Sequence, residues 1–455
     1  MPPTVQVPAR HILAISLAAI GLAVILAVLV WRPVSAPTAT TTATPGTSAS
    51  AEAAAPGEQS AAPVDGVDAR VTWDEPLLQP FGEPDVLLRI DGMVGTDDLL
   101  LGWGRTPMPV RNQFNDMGAI FASPDGTTWR IVPVEHGVNA VSASTINDVA
   151  IGARGFLAVG SVCCEPEQGA VWRSADGFSW ERVQVEVAFD AGGQPASVVA
   201  TEDGWSMLVG LRVGSALFHS DDGVAWEPAI AAEANRVSRG IEAVADGPGG
   251  LLAVGIADGP DETYDGVVWR SGDGRTWERV AMDDAAMVGE GEVYLHDVVG
   301  FPGGYLATGM LGTAEQRRAC EELGLVASIV DVPSPRPEMA TSCALGDEAQ
   351  WVSADGLTWK RVEFALDEVR PIEFRLVLAG GPGLVALGEG SGPESPDTML
   401  FGSRDGIRWQ VLSDAEPMLT DVARALVVRG DEIIAVTENW DGAETTYRVW
   451  RGRAG

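Results

Sequence analysis

Six short phrases hold a serine, an aspartate and a tryptophan at fixed spacing, the residue types of a carboxylate poised beside a hydroxyl for proton transfer. They read FASPDGTTW (121–129), WRSADGFSW (172–180), FHSDDGVAW (218–226), WRSGDGRTW (269–277), WVSADGLTW (351–359) and FGSRDGIRW (401–409). Their acids are Asp125, Asp176, Asp222, Asp273, Asp355 and Asp405. Acid–base cleavage of a glycoside needs two carboxyl groups facing one bond, and six copies spread along a chain do not converge on one substrate. The same residues do suit a tight turn. Aspartate accepts backbone N–H groups, serine adds a side-chain bond, and glycine permits positive φ. The tryptophan supplies a large apolar area. The phrase therefore reads as structural.

Other candidate groups are sparse. Asp258, Asp261, Glu262 and Asp265 crowd one stretch. Calcium takes six to eight oxygen ligands, which such a run can supply in part, but the spacing matches no EF-hand loop. A solvated acidic loop is the expected reading, with no cofactor and no metal site; Ca2+ is the one ion the stretch could hold. His219 has no second histidine or cysteine motif near it. Cys163 and Cys164 are adjacent; a strained vicinal disulfide, free thiols and metal ligation all stay open. Cys320 and Cys343 flank 22 residues of one long insertion. A disulfide there is expected, contributing about 3 kcal/mol by loop entropy.

The elements that position these groups follow from the period of the repeat. Successive phrase serines are 51, 46, 51, 82 and 50 residues apart, and the long interval holds the insertion, 312–349. A period near 50 marks a repeat architecture. Upstream of each phrase lies a short apolar run after a glycine or acidic turn, as in RGFLAVGS (154) and GGLLAVGI (249), and upstream of that another, as in IEAVADG (241). Each unit thus reads as four short antiparallel strands. The last strand-like run, YRVWRG (447–452), lacks a successor, and the first, ARVTWDEPL (69–77), lacks a predecessor. The two complete one another. The expected fold is all-β, a seven-bladed β-propeller of four-stranded antiparallel blades, closed by pairing of the N-terminal strand with the last blade.

The phrase resembles the Asp-box of sialidases, sortilin and bacterial neuraminidase repeats, Ser-x-Asp-x-Gly-x-Thr-Trp, with one residue fewer between Asp and Gly. The resemblance covers about nine residues per unit and implies a propeller hairpin. For the sialidases it would also imply six blades, an Arg-Ile-Pro motif, an arginine triad, a Tyr/Glu nucleophile pair and an acid/base aspartate. The nearest string here is RPIEF (370–374), and only Tyr264, Tyr294, Tyr305 and Tyr447 are available. At the level of repeat and blade number the chain also resembles the seven-bladed photosystem II assembly-factor propellers, which implies protein binding.

Outside the repeat, residues 12–31 carry no charge over 20 positions. As a helix they span roughly 30 Å, the hydrocarbon thickness, longer than the apolar core of a signal peptide. The expected order is a short tail (1–11), a transmembrane anchor (12–31), a Pro/Ala/Thr/Ser-rich disordered stalk (32–66) and a propeller (67–455) on the extracytoplasmic side. A net charge of −34 repels phosphate backbones and excludes nucleic acid as a partner. The variable connections all emerge on one mouth of the ring, where binding usually resides. Candidate contacts there are Asp258, Asp261, Glu262 and Asp265, with Glu315, Arg317 and Arg318 at the head of the insertion. The expected role is a non-catalytic binding or assembly module for a protein or cell-surface ligand. The alternative is a sialidase-like or other glycoside hydrolase acting on extracellular glycans.

Overall fold

The computed structural model describes residues 71–78, 81, 89–107, 116–132, 144–162, 168–185, 193–211, 214–230, 240–258, 263–280, 291–313, 315, 318, 347–362, 365–366, 372–381, 383–390, 398–413, 421–440 and 445–454. The expected tail, anchor and stalk (1–66), and Cys163, Cys164, Asp261, Glu262, Arg317, Cys320 and Cys343, lie outside them. No helix among the described residues is long and apolar enough to cross a membrane.

Among the described residues the strands form antiparallel groups, most of them of four strands. In the first, Arg89–Gly95, Leu100–Pro107, Asp116–Ser123 and Arg130–Val132 follow one another outward. The second runs Ser144–Gly152, Gly155–Val162, Gln168–Ser174 and Glu181–Val183. A single parallel bridge, Met117 to Ser144, joins these two. The next four begin at Gln194–Ala200, Gly240–Gly247, Glu292–Phe301 and Ile372–Gly380. The sixth gains a short parallel strand, Ala365–Leu366, on its outer edge. The seventh comprises Val422–Arg429, Glu432–Trp440 and Thr445–Ala454, and its outer strand is Val71–Trp73, paired from Val71↔Ala454 to Trp73↔Gly452.

The first strand of each sheet touches the first strand of the next, and Val422–Arg429 touches Arg89–Gly95. First strands are therefore innermost, and the architecture is a β-propeller. Its core lies between sheets. Leu101, Trp103 and Ile120 of the first sheet pack with Ile146, Ala158 and Trp172 of the second. Phe121 and Trp129 of the first sheet pack likewise with Ile434, Val436 and Tyr447 of the seventh. Second strands are covered on both sides, which is why runs such as Leu251–Val254 are wholly apolar and buried. Outer strands are two to six residues long, and in five of the sheets they carry Arg130, Glu181, Glu227, Glu278 or Lys360, charges that discourage edge pairing with another chain.

Candidate functional site

The two ends of the propeller differ. At one end lie the first–second and third–fourth hairpins, and the six Asp-Gly turns sit there. In every turn Oδ1 of the aspartate accepts the N–H groups two and three residues on, at 2.8–2.9 Å, as Asp273 does from Arg275 and Thr276. Serine Oγ accepts the glycine N–H at 2.8–2.9 Å. Five of the tryptophans donate Nε1–H to the glycine carbonyl at 3.0–3.3 Å. In the fifth sheet Trp359 Nε1 makes no such bond. These N–H donors hold Asp273 down at about 2 and lower Asp125, Asp176, Asp222 and Asp355. The turns rest against the preceding sheet. A Cβ at Gly177, where φ is +74°, would lie 2.5 Å from Leu99. The acids are thus spent on backbone and separated sheet by sheet.

The other end is the mouth, where each sheet is entered from the one before. Every innermost strand carries a one-residue register shift close to that entry. The extra residues are Asp91, Asn147, Ala196, Glu242, His296, Arg375 and Arg424. A bulge leaves its extra residue out of the ladder and re-aims it. The preceding Ile90, Ile146, Pro195, Ile241 and Leu295 are buried, whereas the bulged side chains that are described reach solvent. These residues hold equivalent positions on the innermost strands and so lie at one level.

Polar groups gather on this level. Asn147 Nδ2 donates to the Pro195 carbonyl at 2.7 Å, and Trp103 Nε1 donates to the Asn147 carbonyl at 3.1 Å. Behind the bulges sit two half-buried acids. Burial pushes Asp148 up to about 6 although it accepts N–H from Val198 and Val149. Asp297 is pushed up to about 6 in the same way, against one N–H from Val298. His296 touches Thr308 Oγ1 at 3.5 Å. His296 is exposed, and the water it loses on the side facing the protein holds its pKa below the usual histidine value.

The densest group lies where the seventh sheet meets the first. Arg89 Nε stands 2.6 Å and Arg105 Nε 3.7 Å from the two oxygens of Asp91. Burial nonetheless raises Asp91, outweighing Arg89, Arg105 and Arg424. Arg424 Nε pairs with Glu438 Oε2 at 2.5 Å, and the Tyr447 hydroxyl lies 3.4 Å from the same oxygen. Burial and the Glu438 charge raise the Tyr447 pKa well above its usual value. Beside them the buried Asp421 accepts Arg448 Nη1 at 2.7 and 2.8 Å, Thr437 Oγ1 at 2.8 Å and Asn439 Nδ2 at 2.8 Å.

Of the contacts expected from the acidic stretch, Asp258 and Asp265 fall in strands, not in a loop. Asp258 pairs with Tyr264, and Ala257 pairs with Asp265, so the ladder extends further than the acidic composition suggested. Burial raises Asp265, partly offset by Arg279. Glu315 and Arg318 are helical and exposed. No group of three His, Cys, Asp or Glu side chains that could hold a metal occurs among the described residues. His219 is buried against Asp221 at 3.2 Å, and Arg275 also pairs with Asp221. Sequence reading missed the bulge positions. Their available signal was a polar residue breaking an apolar first strand, as in RIDGMV (89–94) and LHDVV (295–299).

No family model and no curated protein matches the chain. Solved structures similar to it include YCF48 from Cyanidioschyzon merolae, at 12% identity and a TM-score of 0.46, covering 85% of this chain and 99% of that one. The β-propeller domain of the Trilobed protease from Pyrococcus furiosus is 9% identical, with a TM-score of 0.47, covering 81% and 94%. Trypanosoma rangeli sialidase, solved with the inhibitor DANA, is 12% identical, with a TM-score of 0.36, covering 80% and 54%. Likeness at this level carries no argument about activity.

Proposed function

We propose that residues 67–455 are a seven-bladed propeller, closed by Val71–Trp73 on the last sheet, that binds a protein or cell-surface ligand at its mouth without chemistry. In this reading residues 12–31 anchor the chain in a membrane, 32–66 form a stalk, and the propeller stands on the extracytoplasmic side. The observation that carries the binding role is the contrast between the ends. The hairpin end repeats one arrangement six times, whereas the mouth sets Asp91, Asn147, Ala196, Glu242, His296, Arg375 and Arg424 on a single level. A scaffold that only needed to stand would have no use for seven positions so unlike in charge and size. Ring-borne polar groups on rigid strands are a binding surface with low ordering cost.

A glycoside hydrolase is the second reading, favoured by one observation. Arg89, Arg105 and Arg424 gather with Asp91 and a Tyr447–Glu438 pair, the residue types that the sialidase resemblance requires. Against it, each arginine already faces a carboxylate. Tyr447 is only 4% exposed, and its proton is held more tightly than in water.

Two measurements on the full-length chain separate the readings. Affinity capture from the native membrane should recover a partner that Arg424→Ala loses and Asp273→Ala retains; retention by Arg424→Ala sinks the mouth as the binding surface. A panel of chromogenic glycosides, sialosides included, should show no turnover. Turnover abolished by Tyr447→Phe would establish the hydrolase instead.

A further inference from the structure

At the hairpin end, on the seam between the seventh and first sheets, a cavity of about 450 Å³ is lined by Asp97, Arg429, Gly430, Asp431, Glu432, Arg451 and Arg453. We propose that it binds a small oxyanion, a carboxylate or a phosphate monoester. The chain holds 64 acidic residues against 30 arginines and lysines, so three arginines meeting at one opening run against the composition.

Two of them are fixed by one acid. Arg429 Nε donates to Glu432 Oε2 at 2.5 Å, and Arg451 donates to Glu432 Oε1 through Nε at 3.0 Å and through Nη2. Burial alone would raise Glu432, but the Arg451 and Arg429 hydrogen bonds outweigh it, and the carboxyl stays below its ordinary range. Arg429 Nη1 also donates to the Asp97 carbonyl at 3.1 Å, which locks its plane. Two guanidinium groups on one carboxylate leave one positive charge in the part-buried layer. Asp97 and Asp431 are exposed, so water and salt weaken their charges more than those beneath. Arg453 is exposed and makes no ion pair among the described residues. Its position is opposite Glu432 in the ladder. An oxyanion seated here meets the Nη N–H groups of Arg429 and Arg451 that remain beyond Glu432 and the Asp97 carbonyl, in planes those bonds already fix. A Cβ at Gly430 would meet nothing within 4 Å, so the space beside the forks is open.

The test is calorimetric titration of the full-length chain with inorganic phosphate and, separately, with acetate at low ionic strength. Saturable one-to-one binding of at least one of them is expected, and which binds more tightly separates the phosphate source from the carboxylate source. Arg453→Gln should weaken it about tenfold, and Arg173→Gln, on a distant exposed pair, should leave it unchanged. Gly430→Asp, which adds a negative charge to open space, should abolish it; aspartate tolerates this position's φ of +59° better than most residues. The bound anion should also raise the unfolding temperature of the parent and not that of Gly430→Asp. Absence of saturable heat with both anions, or equal affinity in folded Arg453→Gln, overturns the proposal.

Discussion

The hairpin end and the mouth are built from the same strands, yet one repeats a single solution and the other repeats only a backbone device. At the hairpin end the same serine, aspartate and glycine make the same bonds in six sheets, with distances that agree within 0.1 Å. At the mouth the register shift recurs in every innermost strand, but the residue it presents changes from Asp91 to Ala196 to Arg424. Repetition of side chains marks what holds sheets together. Repetition of backbone with changing side chains marks a surface free to specialise.

The sharpest break in that comparison comes from the mouth side. Asp421→Ala strips the carboxylate seen against Arg448 among the described residues and empties a site that is 0% exposed. An uncompensated buried charge costs about 3–5 kcal/mol, and urea unfolding should register it. A loss below 1 kcal/mol would show that the seventh sheet does not depend on its polar cluster.

Next in size is the dependence on pH. Asp148 and Asp297, pushed up to about 6, bind a proton more tightly folded than unfolded. Their contribution is fully present below about pH 4 and disappears as pH rises through 6, up to about 3 kcal/mol for each. The turn aspartates have the opposite sign. Asp273, held at about 2, supports the fold above pH 4, and that support fades as pH falls towards 2. Stability should therefore peak near pH 4 and fall between pH 4 and 6, and Asp148→Asn should flatten that decline. An unfolding midpoint that rises steadily from pH 5 to pH 7 contradicts the assignment.

The smallest effect is expected at a single turn. Asp273→Ala leaves the Arg275 and Thr276 N–H groups to water and should cost about 1–3 kcal/mol. Equivalent changes in two distant turns should add. Strong non-additivity would mean that the turns communicate around the ring and are not separate stitches.

Much of the fold was legible because its grammar is local. Apolar runs, glycine turns and the Ser-x-Asp-Gly phrase each reveal a strand or a hairpin within ten residues, and the pairing of Val71–Trp73 with the last strand followed from an unpaired run at each end. The mouth was less legible because a bulge is a property of two strands at once. Around His296 or Asp148 the only local signal is a polar residue breaking an apolar strand, which does not by itself declare that the ladder slips there. The Asp91, Arg105, Arg424 and Glu438 group is assembled from positions near opposite ends of the sequence, so no spacing rule could have gathered it. The acidic stretch at 258–265 misled because composition predicted a loop where Tyr264–Ser271 continues as strand.

The pairing of Val71–Trp73 with Thr445–Ala454 also sets an order of events during biosynthesis. Val71–Trp73 lacks this sheet partner until Thr445–Ala454 has left the ribosome. The sheets between can assemble as they emerge, while this one waits with an unpaired edge, which is the interval when aggregation threatens. Loop closure over nearly the whole chain is slow but thermodynamically tolerable, because its entropy grows only with the logarithm of length. A nascent chain stalled before Thr445–Ala454 would leave that sheet with an open edge, a natural substrate for quality control.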